Sequence, residues 1–137
     1  LATATSVYAQ TPVIPPGSGT SGDPYRISEL GHLVWMGDNV ANSSGKYYTM
    51  TADIDASDTA NWNDAGTSAD VLEGFKPIGT YYYSPDTTSY RGIFDGNGHI
   101  IRGLVVNRPE EWYVGLFGYV GAGGQVRNLA NEALTPN

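Results

Sequence analysis

A short unit is written twice near the end of this chain. Gly92-Ile93-Phe94 returns as Gly115-Leu116-Phe117 after 23 residues, and Ile101-Arg102-Gly103-Leu104 returns as Val126-Arg127-Asn128-Leu129 after 25. A unit of that length is one supersecondary element, which cannot bury an apolar face alone and must stack on its neighbours. A strand, a glycine turn and a second strand over such a span amount to about one coil of a parallel β-helix. Function in such an array lies on the surface that stacking builds.

Composition agrees with an all-β chain. Eighteen glycines and ten tyrosines among 137 residues point to tight turns between tyrosine-rich strands. Seven basic residues against 14 acidic ones give a net charge of -7, and phosphate backbones repel an acidic surface without a basic stripe, so nucleic acid is excluded as a partner. The same balance supplies no polybasic patch for anionic lipid. The chain has no cysteine, which removes disulfides, thiolate nucleophiles and zinc-thiolate sites. No apolar run approaches the roughly 18 residues that a transmembrane helix needs.

Residues 1–9 are small and uncharged, and Val7 and Ala9 stand where a signal peptidase reads, so this stretch reads as the tail of a signal peptide. Residues 10–22 contain TPVIPPGSGTSG, a Pro/Gly-rich linker. The body is expected over 23–137. It opens with a helix capped by Ser28, with Leu30, Leu33, Val34 and Val40 on one face and a stop near Asn42 to Gly45. That helix is expected to cover the first exposed sheet edge. From Tyr47 the period becomes two, with Tyr48, Met50, Ala52 and Ile54 on one side and Tyr47, Thr49, Thr51, Asp53 and Asp55 on the other. The last residues, NEALTPN, offer no comparable cover, so the chain is expected to be an N-terminal piece truncated at its C-terminus.

Five blocks in order, DPYRISELGHLVWM, YYTMTADIDAS, FKPIGT, YRGIFDGNGHIIRGLVVN and VGLFGYVGAGGQVRNLA, resemble the opening of bacterial proteins that carry the GLUG motif. Such segments occur in adhesin-like surface and secreted proteins and N-terminal to the catalytic part of immunoglobulin-A-specific metallopeptidases. The resemblance implies a right-handed parallel β-helix (β-solenoid) fragment with an N-terminal capping α-helix, on an exported protein with no catalytic residues in this region. Two departures stand out: a longer excursion over Tyr81 to Tyr90, and a single good GLFG-type copy where an array is usual.

No catalytic, cofactor or metal residue is nominated. Asp53, Asp55 and Asp58 form an acidic cluster, but a calcium ion needs six to eight converging oxygens and a solvated strand end is the simpler reading. Asp95-Gly96-Asn97-Gly98 begins like a calcium loop but has Val106 at the twelfth position, so it reads as a tight turn. His32 and His99 are the only histidines, and no HExxH is present. Tyr81, Tyr82, Tyr83 and Tyr90 are the candidates for ligand contact, since aromatic faces stack on sugar rings and a tyrosine adds a hydroxyl.

The expected function is therefore a non-catalytic structural or adhesive module of a secreted or cell-surface bacterial protein. Its expected partners are host or environmental glycans or glycoproteins, with no cofactor. The alternatives are a lyase-like polysaccharide enzyme, which requires Asp53, Asp55 and another carboxylate to converge beside an Arg or Lys, and the accessory region of a large secreted metallopeptidase.

Overall fold

The computed structural model describes residues 7–8, 11–63, 72–81, 87–108 and 114–131. In chain order the elements are β1 (Val7–Tyr8), β2 (Tyr25–Ile27), α1 (Leu30–Asp38), a 3-10 turn (Val40–Asn42), β3 (Tyr47–Met50) and β4 (Ile54–Asp55). A second 3-10 turn (Ser57–Asn61) follows, then β5 (Trp62–Asn63), β6 (Ile93–Asp95), β7 (Ile100–Arg102), β8 (Gln125–Arg127) and β9 (Ala130–Asn131). Every pairing between these strands is parallel. β1 pairs with β5, four strands run in the order β2-β3-β6-β8, and three run β4-β7-β9.

This arrangement corrects the expected all-β, right-handed parallel β-helix with a capping helix. Among the described residues the fold consists of short parallel sheets with one α-helix, and that helix is part of the core: His32, Leu33, Val34 and Met36 of α1 are buried. Nor does pairing follow the copied units. β3 lies 23 residues from β2 (Tyr25 opposite Tyr48), but β6 lies 46 from β3 (Tyr47 opposite Ile93) and β8 lies 32 from β6 (Phe94 opposite Val126). Phe117, the supposed counterpart of Phe94, bridges to Ile78. The resemblance between the copies reflects shared strand-and-turn chemistry, while backbone hydrogen bonding sets the register.

Alternation explains the strands. In β3, Tyr48 and Met50 point inward while Tyr47 and Thr49 are half-buried, as the period of two requires. The expected continuous strand through Asp55 is interrupted after Met50, because the chain turns a corner there from the four-stranded to the three-stranded sheet. β6 and β7 are joined by the same kind of corner, and so are β8 and β9. Ile54 and Ile101 meet on the second sheet, both buried. Burying each such side chain is worth about 1.5–3 kcal/mol.

An aromatic column runs through the core. Trp35 packs edge-on to Tyr25 at 5.1 Å, Tyr25 meets Tyr48 at 5.4 Å, Tyr48 meets Tyr90 at 5.5 Å, and Phe117 touches both Tyr90 at 4.8 Å and Phe94 at 5.3 Å. Such pairs add roughly 0.5–1.5 kcal/mol each beyond area burial. Burial pushes the Tyr48 and Tyr90 phenols well above the ordinary tyrosine range, so both stay protonated.

The start of α1 differs from the expected serine cap. Glu29 occupies the N-cap position without a side-chain bond, and the Ser28 N–H donates to Nδ1 of buried His32 at 3.0 Å. The α-helix ends at Asp38, where Asn39 returns both its backbone N–H and its Nδ2 to the Trp35 carbonyl. Segment 11–22 has neither helix nor strand and bonds to three elements: Arg26 N–H of β2 donates to Pro16 O, Tyr47 N–H of β3 to Gly19 O, and Val13 N–H to Gly31 O of α1.

Candidate contact surface

Tyr81 stands 44% exposed at the neck of the excursion that follows Gly79. The neck is closed by Thr80 N–H donating to Thr88 O at 2.8 Å and Thr88 Oγ1 donating to Thr80 O at 3.0 Å. Below it, Ile78 bridges Phe117 and Tyr90 bridges Val120 in parallel, which carries Tyr119 alongside Tyr81. The two rings meet edge to face with centroids 5.0 Å apart and planes at 65°. Gly79 permits this approach: its φ is +84°, and a Cβ there would lie 2.7 Å from both Tyr119 O and Tyr90 N. A T-shaped pair with one ring exposed presents an aromatic surface for stacking.

Of the other tyrosines nominated from sequence, Tyr90 is 0% exposed and belongs to the aromatic column, so it presents no face to solvent. Tyr82 and Tyr83 lie outside the described residues. Tyr119 was missed by sequence reasoning, because the copy at 115–117 was aligned with 92–94. Placing Phe117 against Ile78 would have brought Tyr119 beside Tyr81.

The acidic residues serve the corners. Asp53 Oδ1 accepts from the Ile100 N–H at 3.1 Å and from His99 Nδ1 at 3.1 Å, and Arg102 lies 3.8 Å from Oδ2. The Ile100 amide, with His99 next, holds the Asp53 carboxyl below the usual carboxylate range. Asp55 accepts from the Ser57 N–H at 2.9 Å and is lowered by Ser57 in the same way. Among the described residues no group of three His, Cys, Asp or Glu side chains is gathered as metal ligands.

The Asp95-Gly96-Asn97-Gly98 segment folds as the expected turn. Asn97 and Gly98 both have positive φ, +51° and +75°, the conformation that Asn and Gly tolerate best. Asp95 Oδ1 accepts from the Asn97 N–H at 2.9 Å and from Asn128 Nδ2 at 3.0 Å, and these bonds, the Asn128 amide foremost, lower its carboxyl pKa. The corners of β6 and β8 are thereby stitched together. An open depression of about 410 Å³ lies over them, lined by Asn97, Gly98, Asn128, Leu129 and Ala130.

Comparison with known proteins gives two relatives at modest identity. The chain is 35% identical over 125 residues to halomucin of Haloquadratum walsbyi, a match covering 88% of this chain and 1% of that protein. It is 36% identical over 124 residues to a protein of Evansella cellulosilytica named as a Gly-rich membrane protein, covering 89% of this chain and 12% of that protein. The chain thus spans only a small part of the length of these relatives. Neither name describes an enzyme. No family model matches the chain, and no solved structure matches it. Among the described residues no helix is long and apolar enough to cross a membrane.

Proposed function

We propose that this chain is a non-catalytic structural and adhesive module of an exported, surface-associated protein of the GLUG-motif kind, and that it contacts glycans or glycoproteins through Tyr81 and Tyr119. The observation that carries the reading is how the reactive side chains are used. Asp53, Asp55, Asp95, His32 and His99 are each bonded to the fold's own turns and caps, and Tyr81, 44% exposed, packs edge to face on Tyr119. A lyase-like centre would need Asp53 and Asp55 to converge on a ligand, and their bonds aim them at Ile100, His99 and Ser57 instead. Support for a module comes from likeness along nearly the whole chain to small portions of much longer proteins, one of them named a membrane protein.

The test is a glycan-array screen of the chain with calcium and with chelator, beside Tyr81→Ala and Tyr119→Ala. The reading expects retention of at least one glycan class, weakened roughly five- to tenfold by either substitution, as loss of one aromatic contact implies. Binding unaffected by both substitutions, or cleavage of a retained glycan, contradicts it.

A further inference from the structure

Asn42-Ser43-Ser44 is an Asn-x-Ser triplet without a central proline, and the sequence contains no other Asn-x-Ser/Thr. Such a triplet is the acceptor of N-linked glycosylation, in which the asparagine carboxamide nitrogen takes a sugar and the hydroxyl two residues on completes the acceptor. For a folded chain to carry the product, the carboxamide must reach solvent and its nitrogen must not be holding the fold together. Asn42 meets both conditions. It ends the 3-10 turn Val40–Asn42, ahead of β3, and both Asn42 and Ser44 are exposed. Neither side chain has a hydrogen bond or ion pair among the described residues. The backbone is held without them: Asn42 N–H donates to Asn39 O at 3.1 Å, Ser43 N–H to Val40 O at 3.0 Å, and Lys46 N–H to Ser43 O at 3.0 Å. The middle residue is the anchor, since Ser43 is 0% exposed and its Oγ accepts from the Arg91 N–H at 2.9 Å. β3 has a strand on each side, so this turn owes its exposure to neither end of the sheet.

Other asparagines are used differently. Asn39 Nδ2 donates to Trp35 O, Asn97 Nδ2 to Met50 O, Asn107 Nδ2 to Leu72 O and Asn128 Nδ2 to Asp95 Oδ1. Each of these nitrogens serves the fold, and none of the four has a serine or threonine two residues on. At Asn42 the acceptor triplet and an unused nitrogen coincide.

We propose that Asn42 is an N-glycosylation site. The reaction joins Asn42 Nδ2 to C1 of the first sugar of a lipid-linked oligosaccharide. The bond from C1 to the phosphate oxygen breaks, the phosphate keeps the bonding electrons and stays on the lipid, and one Nδ2 proton passes to a base of the transferase. The co-reactants are an oligosaccharide carried on a polyprenyl phosphate or diphosphate and a membrane transferase that acts on exported chains. Export is common to this site and to the contact surface described above, but Tyr81 and Tyr119 take no part in it. Attachment at Asn42 removes no hydrogen bond from the fold.

The test is peptide mapping by mass spectrometry of the full chain recovered from the surface of the cells that make it. The tryptic peptide Ile27–Lys46 should carry a sugar mass that electron-transfer fragmentation places on Asn42. Asn42→Gln should abolish that mass, Ser44→Ala should remove most of it, and Ser44→Thr should keep it. All three variants should show unchanged circular dichroism, because both side chains are exposed and unbonded. A bare Asn42, a sugar placed on Ser43 or Ser44 instead, or a modification that survives Asn42→Gln or is undiminished in Ser44→Ala would each overturn the assignment. The glycan array separates this site from the contact reading: a modified Asn42 on a chain that retains no glycan upholds the site alone, and retention by a chain with Asn42 bare upholds the contact surface alone.

Discussion

Gly96→Ala is the substitution whose cost is most directly legible in the ladder. Gly96 sits at the corner after β6, and a Cβ there would lie 2.6 Å from Asn128 O, 2.6 Å from Leu129 Cα and 2.8 Å from Leu129 N. All three are backbone atoms of the corner after β8, so no side chain can swing aside. The closest approach falls about 0.8 Å short of the 3.4 Å at which ordinary contact begins, and the two corners must separate. Three bonds cross that gap: Gly96 N–H to Arg127 O, Gly98 N–H to Asn128 O, and Asn128 Nδ2 to Asp95 Oδ1. At about 1 kcal/mol net for each bond, less the roughly 0.4–1 kcal/mol that alanine returns by restricting the unfolded chain, the variant should lose about 2 kcal/mol. That corresponds to a fall in Tm of about 8 °C for a chain of this size. Urea titration followed by tryptophan fluorescence measures the loss. Gly37→Ala is the control of opposite sign: it lies inside α1, where a Cβ would only touch Ile78 Cγ1 at 3.9 Å, so alanine should add up to about 1 kcal/mol. Equal stability of Gly96→Ala and the unmodified chain would refute the register of β6 against β8.

Two further outcomes follow from buried polar groups. The Tyr90 hydroxyl is buried without a hydrogen-bond partner among the described residues, so Tyr90→Phe should be neutral or stabilise by up to about 1 kcal/mol, whereas Tyr90→Ala should cost about 3–5 kcal/mol; denaturant midpoints decide it. Burial pushes the His32 imidazole below its ordinary 6.5. The unfolded chain therefore binds the proton first, and His32's contribution is fully present above pH 6.5 and lost as pH falls below it through the lowered folded value. Stability measured from pH 7 downward should decline over that window, and His32→Gln should flatten the decline while Asp53, Asp55 and Asp95 keep their own losses below about pH 4. An unchanged slope in His32→Gln would show that the imidazole is not the titrating group.

Local chemistry was readable in the sequence, and long-range pairing was not. The inward positions Tyr48, Met50 and Ile54, a helix containing Leu33 and Val34, and the Asn97-Gly98 turn all follow from side-chain period and permitted φ, which neighbouring residues determine. The sheet architecture depends on which strand meets which. Strands of two to four residues separated by connections of unequal length leave that choice to backbone bonding and core shape. The copied motif therefore misdirected the register, putting Phe117 with Phe94 in sequence although Ile78 is its backbone partner. The same error hid Tyr119. Ser28 looked like the helix cap because serine commonly accepts an N2 or N3 amide, yet here its own amide is capped by His32. Tyr90 looked like part of an aromatic loop, and only the tertiary stack of Tyr48, Tyr90 and Phe117 shows it to be core.

The contact account is tested most directly by a two-dimensional NMR titration of the chain with a glycan retained on the array, following both amide shifts and the glycan's own spectrum. The expected result is saturable shifts centred on Thr80, Tyr81, Tyr119 and Val120, with the glycan chemically unchanged. Shifts centred instead on Asp53, His99 and Arg102, or new reducing-end or unsaturated sugar signals, would contradict a non-catalytic aromatic contact surface.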